Sequence, residues 1–348
     1  VRLADIDFHL PPELIAQNPV EPRDAARLLV YNTADRSISH HHISDLPNLL
    51  PVHTTLVANR SRVRKGRLYA TRANGQEVEL LILEPATPGC FECMIRGKGI
   101  HDNEELQMRS GTILTVVAPH NEASFTTYII DFGMSTEDAE AIIEEYGVTP
   151  LPPYITESEA PDDRYQTVFA QELGSAAAPT AGLHITPNLM EELIAKGHAW
   201  EEVILHVGMG TFQPLRQEEI TDNKLHHEYT FIANETSSQI NEAKGHILAI
   251  GTTSCRVLES HSQSGTVEAG DLSTDLFIYP GYIFQTTNML LTNFHLPKSS
   301  LLLLVASLIA QKCDLQPDEA IAELHRIYRA AIGEQYRFFS FGDAMLVR

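Results

Sequence analysis

The chain has 348 residues, 43% of them hydrophobic, enough for a substantial core and long enough that two domains are expected. A formal charge of −21 excludes a generic nucleic-acid coat, because phosphate binding needs clustered cations, while leaving room for a local basic patch. The longest apolar run, 301–310, is too short to span a bilayer, no leader-like segment opens the sequence, and four cysteines suit a reducing compartment, so a cytoplasmic protein with no membrane partner is expected.

In chain order, residues 11–16 (PPELIA) place their prolines where a missing amide costs least, and predict a short helix. Residues 27–32 (RLLVYN) read as a strand, 43–51 as a helical turn ended by Pro51, and 54–59 as a second strand. His40, His41 and His42 stand together without a spaced ligand partner and read as an exposed segment. From 67 to 132 the texture changes. RLYATR, EVELLILEP, CFECMIRG, GTILTVVAP and SFTTYIIDF alternate or run apolar between Asn-Gly, Pro-Gly and Ser-Gly, the pattern of a sandwich or barrel.

A helix over 135–145 follows, with an acidic first turn, and then the proline-set connector GVTPLPPYI. Beyond Pro153 helices and strands alternate. Thr186 is a natural N-cap for a helix over 187–196, with Gly197 past its end. VILHVGMG (203–210), HILAIG (246–251) and LFIYP (276–280) read as strands. Helices are expected over 255–262, capped by Thr252, Thr253 or Ser254, over 299–313 and over 317–332. The expected fold class is mixed α/β, or α+β. A large mixed α/β catalytic domain, 1–65 plus 147–348, carries an inserted smaller β-barrel-like domain, 66–146.

Polar strings rich in Gly, His, Thr and aromatics crowd the second half, as loops that hold a ligand require. The GMGTFQ turn is only part of a dinucleotide fingerprint, since Pro214 follows and no clean helix opens on its last glycine. IGTTSCRVLES is better placed, because a helix N-terminus presents amides to an anion, although an ordinary capped turn reads the same way. His184, His206 and His295 lie in polar strings rather than on apolar helical faces, and each is either catalytic or a satisfied structural histidine. Cys90 and Cys93 lack the second pair that a structural zinc site wants, so no metal is expected. Arg60, Arg62, Arg64, Lys65 and Arg67 form a basic run that is either a solvated strand edge or a phosphate-contacting patch.

Taken in order, DFHLPPELIAQNPVEPRDAARLLV, PLPPYI, DRYQTVFA, APTAGLHIT, LHVGMGTFQP, IGTTSCRVLES, TDLFIYPGY, LLTNFHLPKSSLLLLVA and YRFFSFGDAMLV resemble the S-adenosylmethionine:tRNA ribosyltransferase-isomerase family of queuosine biosynthesis. The similarity spans nearly the whole chain. It implies a mixed α/β domain joined to a smaller β-barrel domain. It also implies transfer and isomerisation of the ribosyl moiety of S-adenosylmethionine onto 7-aminomethyl-7-deazaguanine at the wobble position of tRNA, with release of adenine and methionine. S-adenosylmethionine would then be a consumed substrate, no cofactor would be needed, and the partners would be that tRNA and S-adenosylmethionine, with the protein a monomer.

Such chemistry needs a general base, a proton donor for departing adenine and walls that tolerate a cation. Within the matching strings, His184, Asp275 and His295 are the acid/base candidates. Thr180, Gly182, Gly208, Gly210, Thr252, Thr253, Arg256, Tyr279, Tyr282, Asn293, Phe294 and Lys298 are the substrate-binding candidates. Arg60, Arg62, Arg64, Lys65 and Arg67 are the RNA-binding candidates. One departure stands out. Where the family usually reads Asn-Asp-Thr/Ser-Lys/Arg-Val, this chain has Asn59-Arg60-Ser61-Arg62-Val63, which reverses a charge, and RKGRL and IRGKG depart as well. A diverged paralogue acting on another acceptor, or a tRNA-binding remnant without turnover, are the alternatives that this exchange raises.

Overall fold

The structure, a computed structural model, describes residues 1–122, 125–208 and 215–348. The chain divides into two compact units. Val1–Ser61, Pro153–Glu172 and Ala178–Arg348 form the larger; Arg62–Pro152 with Leu173–Ala177 form the smaller. The sequence predicts junctions at 65/66 and 146/147, with no second segment in the smaller unit.

The larger unit is built on a nine-stranded mixed sheet. Its spatial order is Gly270–Thr274, Glu228–Ile232, Ala199–Leu205, Thr55–Asn59, Ile247–Ile250, Met289–Asn293, Ala344–Val347, Arg27–Asn32 and Ser37–His42. The central strands TLVAN, ILAI, MLLTN and AMLV are buried at every position, because both faces of the sheet are covered. One core cluster packs Leu28, Leu56, Leu248, Leu291 and Leu346 against Leu189 and Leu193 of helix Pro187–Ala195. Each such leucine contributes about 2 kcal/mol by leaving water. Helix Ser300–Cys313 buries every residue from Leu302 to Ala310 and packs against helix Pro317–Gly333.

Local signals set several boundaries as expected. Thr186 Oγ1 accepts the Leu189 amide at 3.1 Å and starts its helix. Ser135 Oγ accepts the Asp138 amide, also at 3.1 Å, at the head of helix Thr136–Tyr146. Other expectations need correction. LFIYP is not a strand; the strand precedes it at Gly270–Thr274. No side chain caps the helix at 250–260. It begins at Gly251 directly after the strand, and Ser254 Oγ instead donates back to Ile250 O at 2.8 Å. The three adjacent histidines lie in an exposed segment as expected, the edge strand Ser37–His42, where polar side chains keep an open ladder in water.

The smaller unit is a closed antiparallel barrel in the order Phe125–Asp131, Cys90–Arg96, Glu77–Thr87, Arg67–Arg72, Glu105–Met108 and Ile113–Glu122. Period-two alternation puts Leu68, Leu80, Ile82, Phe91, Cys93, Leu106, Leu114, Val116 and Ile130 inside. Closure removes free sheet edges, and helix Thr136–Tyr146 adds Ala139 and Ile143 to the same core. Among the described residues no helix is long and apolar enough to cross a membrane.

Arg64 ties this unit together. Its side chain is only 4% exposed, donates to both Glu140 oxygens at 3.2 and 2.7 Å, and donates to Leu83 O at 2.7 Å. Removing the carboxylate strands a buried guanidinium, so Glu140→Ala should destabilise the smaller unit by about 3 kcal/mol in denaturant unfolding. Glu144→Ala removes only the exposed partner of Arg62 and Lys65, at 3.5 and 3.3 Å, and should cost under about 1 kcal/mol. Equal, small shifts for the two variants would contradict this ranking.

Candidate active site

Four neighbouring strands of the larger unit, Ala199–Leu205, Thr55–Asn59, Ile247–Ile250 and Met289–Asn293, run parallel. Ligands of open α/β sheets sit outside the carboxyl ends of such strands. There the backbone leaves the ladder while still buried, and side chains have to supply its hydrogen bonds. Asn59, 1% exposed, donates through Nδ2 to Leu205 O at 2.9 Å, while its Oδ1 accepts the Leu205 and Ser61 amides, both at 3.1 Å. The antiparallel partners bring Glu228, Thr274 and Ala344 to this same edge, the last opposite Asn293.

On one side of the edge lies His184, the last residue of the 3-10 turn Thr180–His184. The turn packs closely. A Cβ on Gly182 would lie 2.9 Å from both Phe169 Cζ and Thr167 Cγ2, and Gly251 beside Ala181 takes φ +89°, a conformation that favours glycine. His184 Nε2 is 3.2 Å from Asn293 Nδ2, which also donates to Phe339 O at 3.0 Å, while Asn293 Oδ1 is buried without a partner among the described residues. Burial pushes the imidazole down to about 4; Asp343 opposes the shift, and the charges of Arg337 and Arg23 add to it. His184 is therefore neutral at physiological pH. It lines a solvent-open cleft of about 260 Å³ with Arg23, Arg164, Arg337 and Ser340. Asp343, 2% exposed, orders that wall by accepting the Arg27 and Arg337 amides at 3.0 and 2.8 Å and the Arg337 guanidinium at 3.3 Å.

On the other side lies a solvent-open pocket lined by Arg256, Glu228, His226, Phe277, Ser300 and their neighbours. Arg256 and Glu228 form a buried ion pair, with side chains 7% and 4% exposed. Glu228 Oε1 also accepts the Gly208 amide at 2.9 Å, and Arg256 Nε donates to Leu276 O at 3.2 Å. Such a pair is held by geometry on every side, because losing either member leaves a buried charge.

The remaining sequence candidates distribute as follows. Thr252 is buried, and Thr253 Oγ1 is buried without a partner among the described residues, both in the first turn of helix Gly251–Ser260. His295 is buried, donates its amide to the Tyr328 hydroxyl at 3.1 Å and has Nε2 2.9 Å from Thr292 Oγ1; burial pushes it down to about 3. Phe294 is fully buried among Tyr328, Tyr336 and Phe338. Asp275 stays exposed, 3.9 Å from His227. Tyr279 O accepts Ser307 Oγ at 3.0 Å, Tyr282 donates to Glu259 at 3.2 Å, and Lys298 pairs with Asp7 at 2.8 Å. Gly210 lies outside the described residues. His184, Gly208, Thr253, Asp275 and His295 thus share one edge of the sheet, His184 lining one pocket and Arg256 with Glu228 another.

Every member of the basic run has an acidic partner. Arg60 reaches Glu172 at 3.4 Å and Glu202 at 3.9 Å, so the charge reversal after Asn59 is balanced within the larger unit. Arg64 is buried on Glu140, and Arg67 pairs with Glu79 at 3.0 Å. Arg62 and Lys65 share Glu144 and remain 48% and 36% exposed. Sequence reasoning missed Glu228, Arg23, Arg164 and Arg337. Arg23, Arg164 and Arg337 lie within strings that carry the resemblance but were not picked out of them; Glu228 sits in a strand whose mixed polarity gave no alternation to read.

A family model described as "Queuosine biosynthesis protein" matches residues 3–347. The S-adenosylmethionine:tRNA ribosyltransferase-isomerase of Symbiobacterium thermophilum is 44% identical and that of Moorella thermoacetica 42%, each alignment covering 100% of both chains. Among solved structures, the crystal structure of the S-adenosylmethionine tRNA ribosyltransferase of Thermotoga maritima matches with 33% identity and a TM-score of 0.55, over 99% of this chain and 100% of that one. With a family match from end to end and relatives far above the level at which chance similarity occurs, the chain belongs to the S-adenosylmethionine:tRNA ribosyltransferase-isomerase family of queuosine biosynthesis.

Proposed function

We propose that the chain transfers and isomerises the ribosyl moiety of S-adenosylmethionine onto 7-aminomethyl-7-deazaguanine at the wobble position of tRNA, giving epoxyqueuosine-tRNA and releasing adenine and methionine. The observation that carries this reading is the match over residues 3–347. S-adenosylmethionine is consumed, and no step of the chemistry calls for a metal. The sulfonium charge acidifies the adjacent ribosyl carbon, a base removes its proton and adenine departs. The adenine leaves from the anomeric carbon with its bonding pair, the tRNA amine attacks the electrophilic ribosyl carbon so exposed, and a sugar oxygen displaces methionine as the epoxide closes.

His184 is the base we favour. Burial keeps it neutral, and its contact with Asn293 fixes the ring in a cleft at the carboxyl edge of the sheet. His295, neutral for the same reason, and Asp275 on the wet rim are the further acid/base candidates. Tyr279 and Tyr282 are candidate walls for the sulfonium, whose cationic charge an aromatic face attracts. For the RNA backbone, Arg62 and Lys65 are the members of the basic run with accessible charge, and Arg23, Arg164 and Arg337 offer a second cationic surface beside His184.

Incubation with S-adenosylmethionine and tRNA bearing the aminomethyl-deazaguanine base should release adenine in proportion to conversion of that nucleoside. Adenine release only with a different acceptor, or tRNA binding with no adenine release, would defeat the proposal.

His184 also has a stability signature. Its folded-state value of about 4 lies below the roughly 6.5 of an unfolded histidine, so the unfolded chain takes up the proton first as the pH falls. This contribution is fully present above about pH 6.5 and is lost as the pH drops toward 4, with a slope approaching about 1.4 kcal/mol per pH unit. His184→Asn should flatten the pH dependence of unfolding between about pH 6 and 4.5 by close to one proton. An unchanged slope would mean that the folded protein protonates this ring freely.

A further inference from the structure

We infer that the cavity at Arg256 seats the carboxylate of a zwitterionic α-amino acid, which, resting on the reading above, is the methionyl end of S-adenosylmethionine. Two sets of donors meet there. Arg256 has spent Nη1 on Glu228 and Nε on Leu276 O at 3.2 Å, while Nη2 is buried with no partner among the described residues. A guanidinium is a fixed fork of donors that a carboxylate matches, and this fork has an idle tooth.

The second set belongs to helix Ser300–Cys313, 14 residues long, whose first residues Ser300 and Leu301 line the same cavity. Ser299 at its N-cap makes no capping hydrogen bond, and its hydroxyl is buried without a partner among the described residues. The Leu302 amide turns back on Ser299 O at 3.2 Å. The Ser300 and Leu301 amides have no acceptor inside the helix, and they sit at its partly positive end. Amides at a helix start together with an unfilled guanidinium make a carboxylate site.

Charge then selects the class of ligand. Arg256 is already neutralised by Glu228, so a bare anion would leave one excess negative charge in a buried place. A zwitterion adds none. Apart from His226 the rest of the lining is apolar, with Leu276, Phe277, Ile278 and Leu304 suited to the methylene chain of methionine.

The test is equilibrium binding of S-adenosylmethionine and of decarboxylated S-adenosylmethionine, measured by titration calorimetry on three proteins. The unmutated chain should prefer the carboxylated compound by about 10- to 100-fold, the range for hydrogen bonds to a charged group. Ser300→Pro deletes one amide at the first helical position, where proline is tolerated, and Ser299 already has the extended ψ of 148° that a residue before proline needs. This variant should keep its Tm and lose about 5- to 10-fold of the preference. Arg256→Lys keeps a charge opposite Glu228 but loses the fork, and should lose a similar share. No binding of S-adenosylmethionine, equal binding of both compounds, or a preference that both variants leave intact would overturn the assignment. Adenine release by the unmutated chain, measured alongside with the modified tRNA, reports the ribosyl-transfer reading separately: release with equal binding of the two compounds rejects the carboxylate seat alone.

Discussion

Buried backbone at the carboxyl ends of parallel strands has to find hydrogen-bond partners without water, and the larger unit is arranged around that requirement. Asn59 closes the end of Thr55–Asn59 onto Leu205, Asn293 closes Met289–Asn293 onto Phe339 O, and Asp343 gathers the Arg27 and Arg337 amides. Glu228 receives the Gly208 amide and the Arg256 guanidinium together. These residues are a few percent exposed at most. Each fixes a loop that carries a candidate functional group, so the polar rim that completes the fold is also what holds His184 and Arg256 in place.

The same rim explains how an acidic chain keeps cationic chemistry available. Several arginines are neutralised by carboxylates: Arg64 on Glu140, Arg256 on Glu228, Arg60 between Glu172 and Glu202. Arg23 is committed to carbonyls, donating to Gln166 O at 2.7 Å and Asp163 O at 3.2 Å. A net charge of −21 then repels polyanions everywhere except where a few guanidinium groups are held together by carbonyl partners rather than by carboxylates. In the cleft around His184 only Arg23 is held this way, while Arg164 and Arg337 are paired with Glu21 and Asp343.

What was legible in the sequence follows from burial. Strands buried on both faces, such as 55–59 and 247–250, show as continuous apolar runs, and the Thr186 cap is a local signal read within three residues. The strands Glu228–Ile232 and Gly270–Thr274 were missed because each mixes polar and apolar residues at the end of the sheet, without a long apolar run. LFIYP misled because its apolar residues serve a cavity: Leu276, Phe277 and Ile278 line it instead of joining a ladder. His184 was found because its string is dense in Gly, Thr and Pro. Its partner Asn293 is 109 residues away, and Glu228 is 28 residues from Arg256, and no local pattern says which distant charges will meet.

The central claim is that the edge formed by the carboxyl ends of the four parallel strands holds S-adenosylmethionine. Hydrogen–deuterium exchange, in the presence of tRNA lacking the reactive amine and with or without S-adenosylmethionine, tests it directly. S-adenosylmethionine should slow exchange in the turn 180–184 and in the first turns of the helices at Gly251 and Ser300, with the barrel strands unchanged. Protection confined to the barrel, or to the opposite edge of the sheet, would contradict it.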